Sequence, residues 1–502
     1  MKKYILFTLL AVLSLVGCVK DDTVHDFKTL NEITISGLED SYGFNYLEEV
    51  SVIPTVTVTN AVEDNLEYRW YMFTTTSRFE ADTLSKEKDF KVIMTAPPAE
   101  DYTLVFSVKD VSTGIVTKKE MASAVYGPLS KGWVVIAEQA GQKVINFAKE
   151  DQTVLYDVFA NSNAGISLQD PYMVRALNPN DNKPQMKNVS VFSKNEDGGF
   201  ILNPNSFKVT GTFRDAFYQV PAAAELNVNA FQNFTFTEYL MVNGKVHTRS
   251  VSSGDPIWRT PLIIIEGESS YEMAPSIGDN TYQGVYFDNL HSRILFHSSY
   301  NLGYLSEISD IGAKNLNFTA SLIQRGGVVR SPETASSYFV IGHDNNDPSK
   351  IAMKSFLLGL RPPYNFYDNG TLVFPEANYP GLYASTMMQS GYDALIRGIL
   401  WYSDGKKLYA MNTQAAEPTE VVIRDFEAEG IIVDTMRMIP YVGSFNRTYY
   451  YLALAVRNTN LTENQAGILV YQGGTVGGIN IAEVESIYGL GDKIIDFDQK
   501  LN

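Results

Sequence analysis

Cysteine is almost absent: Cys18 is the only one in 502 residues. A single thiol excludes an intramolecular disulfide and any cysteine cluster for a metal, so packing and hydrogen bonding must hold the fold. Histidine is scarce too, with five in the chain. His291 and His297 flank Ile294-Leu295-Phe296, and in one straight strand they would stand about 20 Å apart, too far to share an ion. Basic residues number 40 against 57 acidic ones, giving a formal charge of −17. That balance repels nucleic acid and anionic head groups, and no nucleic-acid partner is expected. No Gly-x-Ser-x-Gly elbow, His-Glu-x-x-His pair or phosphate-cradling loop at a helix start is present. The apolar stretch Tyr4 to Val16 is too short to span a bilayer comfortably.

Apolar and aromatic residues are plentiful. The chain is 45% hydrophobic and only 19% charged, with 30 tyrosines and 27 phenylalanines, a composition that favours strands. Val52, Val56 and Val58 alternate with threonines, and further strands are expected at Leu66 to Phe73, Phe90 to Met94 and Tyr102 to Asp110. This is an all-β module of immunoglobulin size in which Trp70 fills the core. After Gly127-Pro128 the pattern resets. Gly132-Trp133-Val134-Val135-Ile136, a turn at Gly141-Gln142-Lys143 and Val144-Ile145-Asn146-Phe147 form one hairpin sentence. It recurs at Gly398 to Met411, and more loosely at Gly284 to Phe296, Ser337 to Met353 and Tyr450 to Tyr471. Such hairpins cannot bury their own faces and must stack on neighbours, as propeller blades do. The expected organisation is a signal segment over 1–17, a lipidated tether over 18–45, an Ig/PKD-like β-sandwich over 46–126 and a β-propeller-like domain of seven or eight blades over 127–502.

The start of the chain is informative. Lys2-Lys3, the apolar stretch and Leu15-Val16-Gly17-Cys18 resemble the lipobox of bacterial lipoproteins. The resemblance implies cleavage before Cys18 and lipid on that cysteine. Lys20-Asp21-Asp22, next in the chain, is similar to the export signal of Bacteroidetes surface lipoproteins. It implies a chain anchored in the outer membrane and facing the outside. Together with Tyr68-Arg69-Trp70, the Tyr102 to Asp110 strand and the Gly132-Trp133 start, the sequence resembles a PKD-like family lipoprotein of gut Bacteroidetes. That family implies a setting beside a SusC-like TonB-dependent transporter and its SusD-like lipoprotein lid. It supplies no functional residues to carry over.

The expected function is accordingly a non-catalytic accessory subunit that captures oligopeptides or glycans for uptake. The alternatives are a docking subunit without a ligand of its own, and a surface glycosidase or peptidase. Candidate ring platforms are Trp258, after Gly254-Asp255-Pro256, together with Tyr364, Tyr367, Trp401 and Tyr402. Trp133 and Trp401 hold equivalent places in the two best repeats, which favours a core role for both. No cofactor is expected. Asp344 and Asp347, in His343-Asp344-Asn345-Asn346-Asp347, carry oxygen ligands suited to calcium, although the loop lacks the glycine and distal glutamate of an EF-hand.

Overall fold

The computed structural model describes residues 32–501 except 60–64, 75–81, 178–186, 223–225, 234–236, 252, 267–268, 281–282, 299–302, 327–334, 391–397, 443–447, 474–478 and 480. Cys18, Lys20-Asp21-Asp22 and residues 178–186, where Pro179, Asp181 and Pro184 predict an exposed loop, lie outside the described residues. The chain divides into two compact units, Met1–Val125 and Tyr126–Asn502.

In the first unit a five-stranded sheet is ordered Ser41–Asn45, Val116–Tyr126, Ala99–Asp110, Leu66–Thr74 and Asp82–Ser85. Two ladders share its core: Ile33–Ser36 with Thr55–Val58, and Glu49–Val52 with Phe90–Ile93. Side chains alternate across a strand, so Trp70 and Met72 point into the core while Arg69 faces solvent. The Trp70 ring stacks 4.3 Å from Phe106 and lies 4.9 Å from Phe90. Its indole N–H donates to the Lys88 carbonyl at 3.1 Å, which satisfies the one polar atom of a buried tryptophan. One expectation needs correcting here. The tether expected over 18–45 does not extend to residue 45: Ile33 and Phe44 are buried in this core and both of their strands are paired.

Among the described residues the second unit contains seven sheets. Six take their strands largely in chain order, and each has a leading strand at one edge: Pro171–Leu177, Val228–Asn233, Gly278–Asn280, Phe318–Arg325, Met387–Ser390 and Ile431–Val442. The first sheet differs. Its strands Val154–Leu155, Gln142–Lys149 and Gly132–Gln139 are completed at the leading edge by Lys493–Lys500, from the end of the sequence.

Apolar cores alternate with the sheets. Phe147 and Val134 of the first sheet meet Val189 and Phe200 of the second. Phe192 then meets Leu240 and Trp258, Tyr239 meets Tyr286, and Val285 meets Tyr338. Phe339 meets Tyr402, Trp401 meets Leu454, and Ala453 and Ile468 of the seventh sheet meet Trp133 and Phe497 of the first. Each sheet is therefore buried on both faces. This explains why its second strand reads as a nearly continuous apolar run: in Gln283–Asp288, Val285 and Phe287 enter one core while Tyr286 enters the other.

Candidate functional site

The leading edges of six of the seven sheets, with the segment just ahead of the fourth, line a cavity of about 590 Å³. The second, third, fifth, sixth and seventh sheets contribute Arg175, Phe231, Gln324, Gln389 and Arg437. Asp498 comes from Lys493–Lys500, and Ser276 stands just ahead of Gly278–Asn280. Size and polarity both suit a small ligand, because recognition sites are concave and orient their ligands with a few placed polar groups.

The charged part of the wall is a connected group. Asp496 accepts from Arg175 Nη1 at 2.6 Å and from the Val174 N–H at 2.9 Å through Oδ2, and from Arg437 Nη2 at 2.6 Å through Oδ1. One carboxylate from Lys493–Lys500 thus ties together the leading strands of the second and seventh sheets. Asp498 accepts from the Ala176 N–H at 3.0 Å. Burial lowers the Arg175 pKa, and the neighbouring charge of Arg437 adds to the effect, while Asp496 and Asp498 oppose it. Burial also raises the Asp498 carboxyl against the pull of both guanidiniums. Gln324 is 5% exposed, and its Oε1 accepts no hydrogen bond among the described residues. Asp498 is the one acid among the described residues that line the cavity. A second groove of about 860 Å³ runs along the fifth and sixth sheets, lined by groups such as Ser337, Ser355, Asn369 and Gln414 and, among the described residues, by no charged side chain.

The aromatic platforms expected from sequence are elsewhere, and three of them are core. Trp258 fills the space between the second and third sheets under the Arg249 guanidinium, 4.4 Å from its ring. Trp401 and Tyr402 sit on one strand and point into the cores on its two sides, both 0% exposed. Tyr402 donates to Glu420 at 2.9 Å, and burial raises its pKa. A ring enclosed on both faces has none left for a ligand, which corrects the expectation for these three residues. Tyr364 turns inward, 4.9 Å from Phe296, and its hydroxyl donates to Ser298 Oγ at 3.2 Å. Tyr367 is half-buried on Phe366–Phe374. None of the five lines the cavity.

In the calcium candidate, Asp344 accepts from the Asn346 N–H at 2.8 Å, while Asp347 pairs with Lys350 at 3.1 Å and accepts from Ser349 Oγ at 2.5 Å. These bonds lower the Asp347 pKa, the Ser349 hydroxyl contributing most. Among the described residues no group of three or more His, Cys, Asp or Glu side chains is placed to hold a metal.

Arg175, Arg437, Asp496 and Gln324 were not singled out from sequence. A signal exists for three of them, each a polar residue inside an apolar string: Met173-Val174-Arg175-Ala176-Leu177, Met436-Arg437-Met438 and Ile494-Ile495-Asp496-Phe497; Gln324, followed by Arg325, carries none.

Comparison with solved structures gives distant likenesses. A quinonprotein alcohol dehydrogenase-like protein from Bacteroides thetaiotaomicron VPI-5482 is 11% identical with a TM-score of 0.36, over 90% of this chain and 96% of that one. The extracellular domain of a hybrid two-component system from B. thetaiotaomicron is 8% identical with a TM-score of 0.36, over 90% and 67%. The N-terminal domain of Nup159 is 9% identical with a TM-score of 0.33, over 70% and 82%. Likenesses this remote carry nothing about function. No curated protein matches. The PKD-like family does match, over residues 18–170, and the chain therefore carries an N-terminal PKD-like domain on an otherwise β-sheet body.

Proposed function

We propose that the chain is a non-catalytic binding protein: a seven-bladed β-propeller joined to a PKD-like domain and held on the outer surface of the outer membrane by lipid on Cys18. Each sheet of the second unit is a blade, and Lys493–Lys500 closes the ring by completing the first. The alternation of seven sheets with seven cores supports this arrangement. The ligand is an oligopeptide or glycan, captured for a SusC-like transporter and its SusD-like lid. The observation that carries the reading is the cavity, to which six of the seven sheets and the segment just ahead of the fourth contribute. Separate elements held by a rigid scaffold can fix several ligand groups at once.

Calorimetry of the purified mature chain against peptide and glycan pools tests the reading. Binding is expected, and Gln389→Trp, which puts an indole into the cavity, should abolish it while leaving the circular dichroism unchanged. If the pools do not bind but the transporter pair co-purifies, the chain is a docking subunit instead. The anchor has its own test. Several acyl chains at about 0.8 kcal/mol per buried methylene hold a protein on a membrane essentially permanently. Cys18→Ala should therefore move the protein from the membrane fraction to the soluble fraction; continued sedimentation with membranes would refute lipidation at this site.

A further inference from the structure

We propose that the cavity selects a ligand carboxylate, held between Arg175 and Arg437, with a hydrogen-bond donor of the same ligand on Gln324 Oε1. This rests on the reading of the cavity as the binding site and adds the chemistry of what it takes.

Three observations carry the inference. The first is the donor count. Arg175 uses only Nη1 and Arg437 only Nη2 in protein hydrogen bonds, so Nε and the other terminal nitrogen of each donate to no acceptor among the described residues. A guanidinium has five N–H groups in a fixed fork suited to a carboxylate. The second is charge. Two guanidiniums share Asp496, which spends one oxygen on each. Asp498, the acid that lines the cavity, is pushed toward its neutral form by burial. A further anion between the two arginines would relieve their mutual repulsion, whereas a neutral group would not. The third is Gln324, a buried acceptor without a donor on a different sheet that lines the same cavity. Buried polar atoms are normally paired, and a ligand amide or hydroxyl would supply what this one lacks.

A free peptide C-terminus and a uronic acid both combine a carboxylate with nearby donors. Calorimetry of the mature chain would compare N-acetyl-trialanine with its C-terminal amide, and trigalacturonate with its methyl ester. One acid or the other should bind, identifying the source of the carboxylate, and its neutral counterpart should bind at least tenfold more weakly. Arg437→Gln should weaken the acid at least tenfold and narrow the gap between the acid and its neutral counterpart, with Arg437→Lys recovering part of the loss. Gln324→Leu leaves the ion pairs intact and should weaken binding several-fold, so a folding defect in the arginine variants would not remove the test. Equal binding of acid and neutral forms overturns the carboxylate assignment while the cavity stands as a binding site. Failure of all four probes to bind overturns the assignment and the cavity reading together.

Discussion

Removing Lys493–Lys500 should abolish the cooperative unfolding transition of the second unit. Ile494 and Phe497 on that strand are 1% and 0% exposed, in the core that the first sheet shares with the seventh. Burying each contributes about 1.5–3 kcal/mol. The strand also pairs with Gly132–Gln139, whose leading edge would otherwise be open. Its Asp496 is the shared counter-ion of Arg175 and Arg437, and stripping a part-buried cation of its partner costs several kcal/mol more. Together these losses are comparable to the roughly 5–15 kcal/mol that separates folded from unfolded domains. Scanning calorimetry and limited proteolysis of the truncated chain would check this. A transition at the wild-type temperature would show that the first sheet stands without its closing strand and would remove the main support for a closed ring.

The hairpins of the second unit were legible because their strands are apolar on both faces and their turns are polar. All five strand pairs picked out by repetition form the second and third strands of their sheets, from Gly132–Gln139 with Gln142–Lys149 to Thr448–Asn458 with Ala466–Gly473. Two were missed. Thr237–Val242 and Lys245–Ser250 are joined by Asn243-Gly244 with φ of 50° and 70°, a turn whose sequence is itself a strong hairpin signal. Repeat matching passed over it because Glu238, His247 and Arg249 interrupt the apolar string. Asn188–Ser193 and Gly199–Leu202 are short and separated by Lys194 to Gly198. The cavity was not legible. It is assembled from single residues on strands hundreds of positions apart, and the spacing between Arg175 and Asp496 contains no hint that they touch. Aromatic content misled for a related reason: a composition rich in rings fits ligand platforms and inter-sheet cores equally well, and only burial separates them.

The interruption at Glu238 and Arg249 has its own expected consequence. The two face each other across neighbouring strands, 0% and 3% exposed, joined from Arg249 Nε to Glu238 Oε2. Arg249 also donates to the Pro256 carbonyl at 2.9 Å and lies against the Trp258 ring. Arg249→Met leaves a fully buried carboxylate without its cation, and the loss should be about 3–5 kcal/mol in urea unfolding near neutral pH. Burial already raises the Glu238 pKa, with Arg249 opposing the rise, so removing Arg249 raises it further. An acid with a raised folded pKa destabilises the fold progressively as pH climbs above its unfolded value of about 4.3. The defect should therefore be small near pH 4 and grow toward pH 8. Adding Glu238→Gln to Arg249→Met removes the buried charge, and the double variant should be more stable than Arg249→Met alone at pH 8. A double variant as unstable as the sum of the two singles, or a defect independent of pH, would mean that Arg249 acts mainly by packing on Trp258. The pair then explains why this tryptophan is where it is: its ring shields the ion pair from water, a structural task that leaves no face for a ligand.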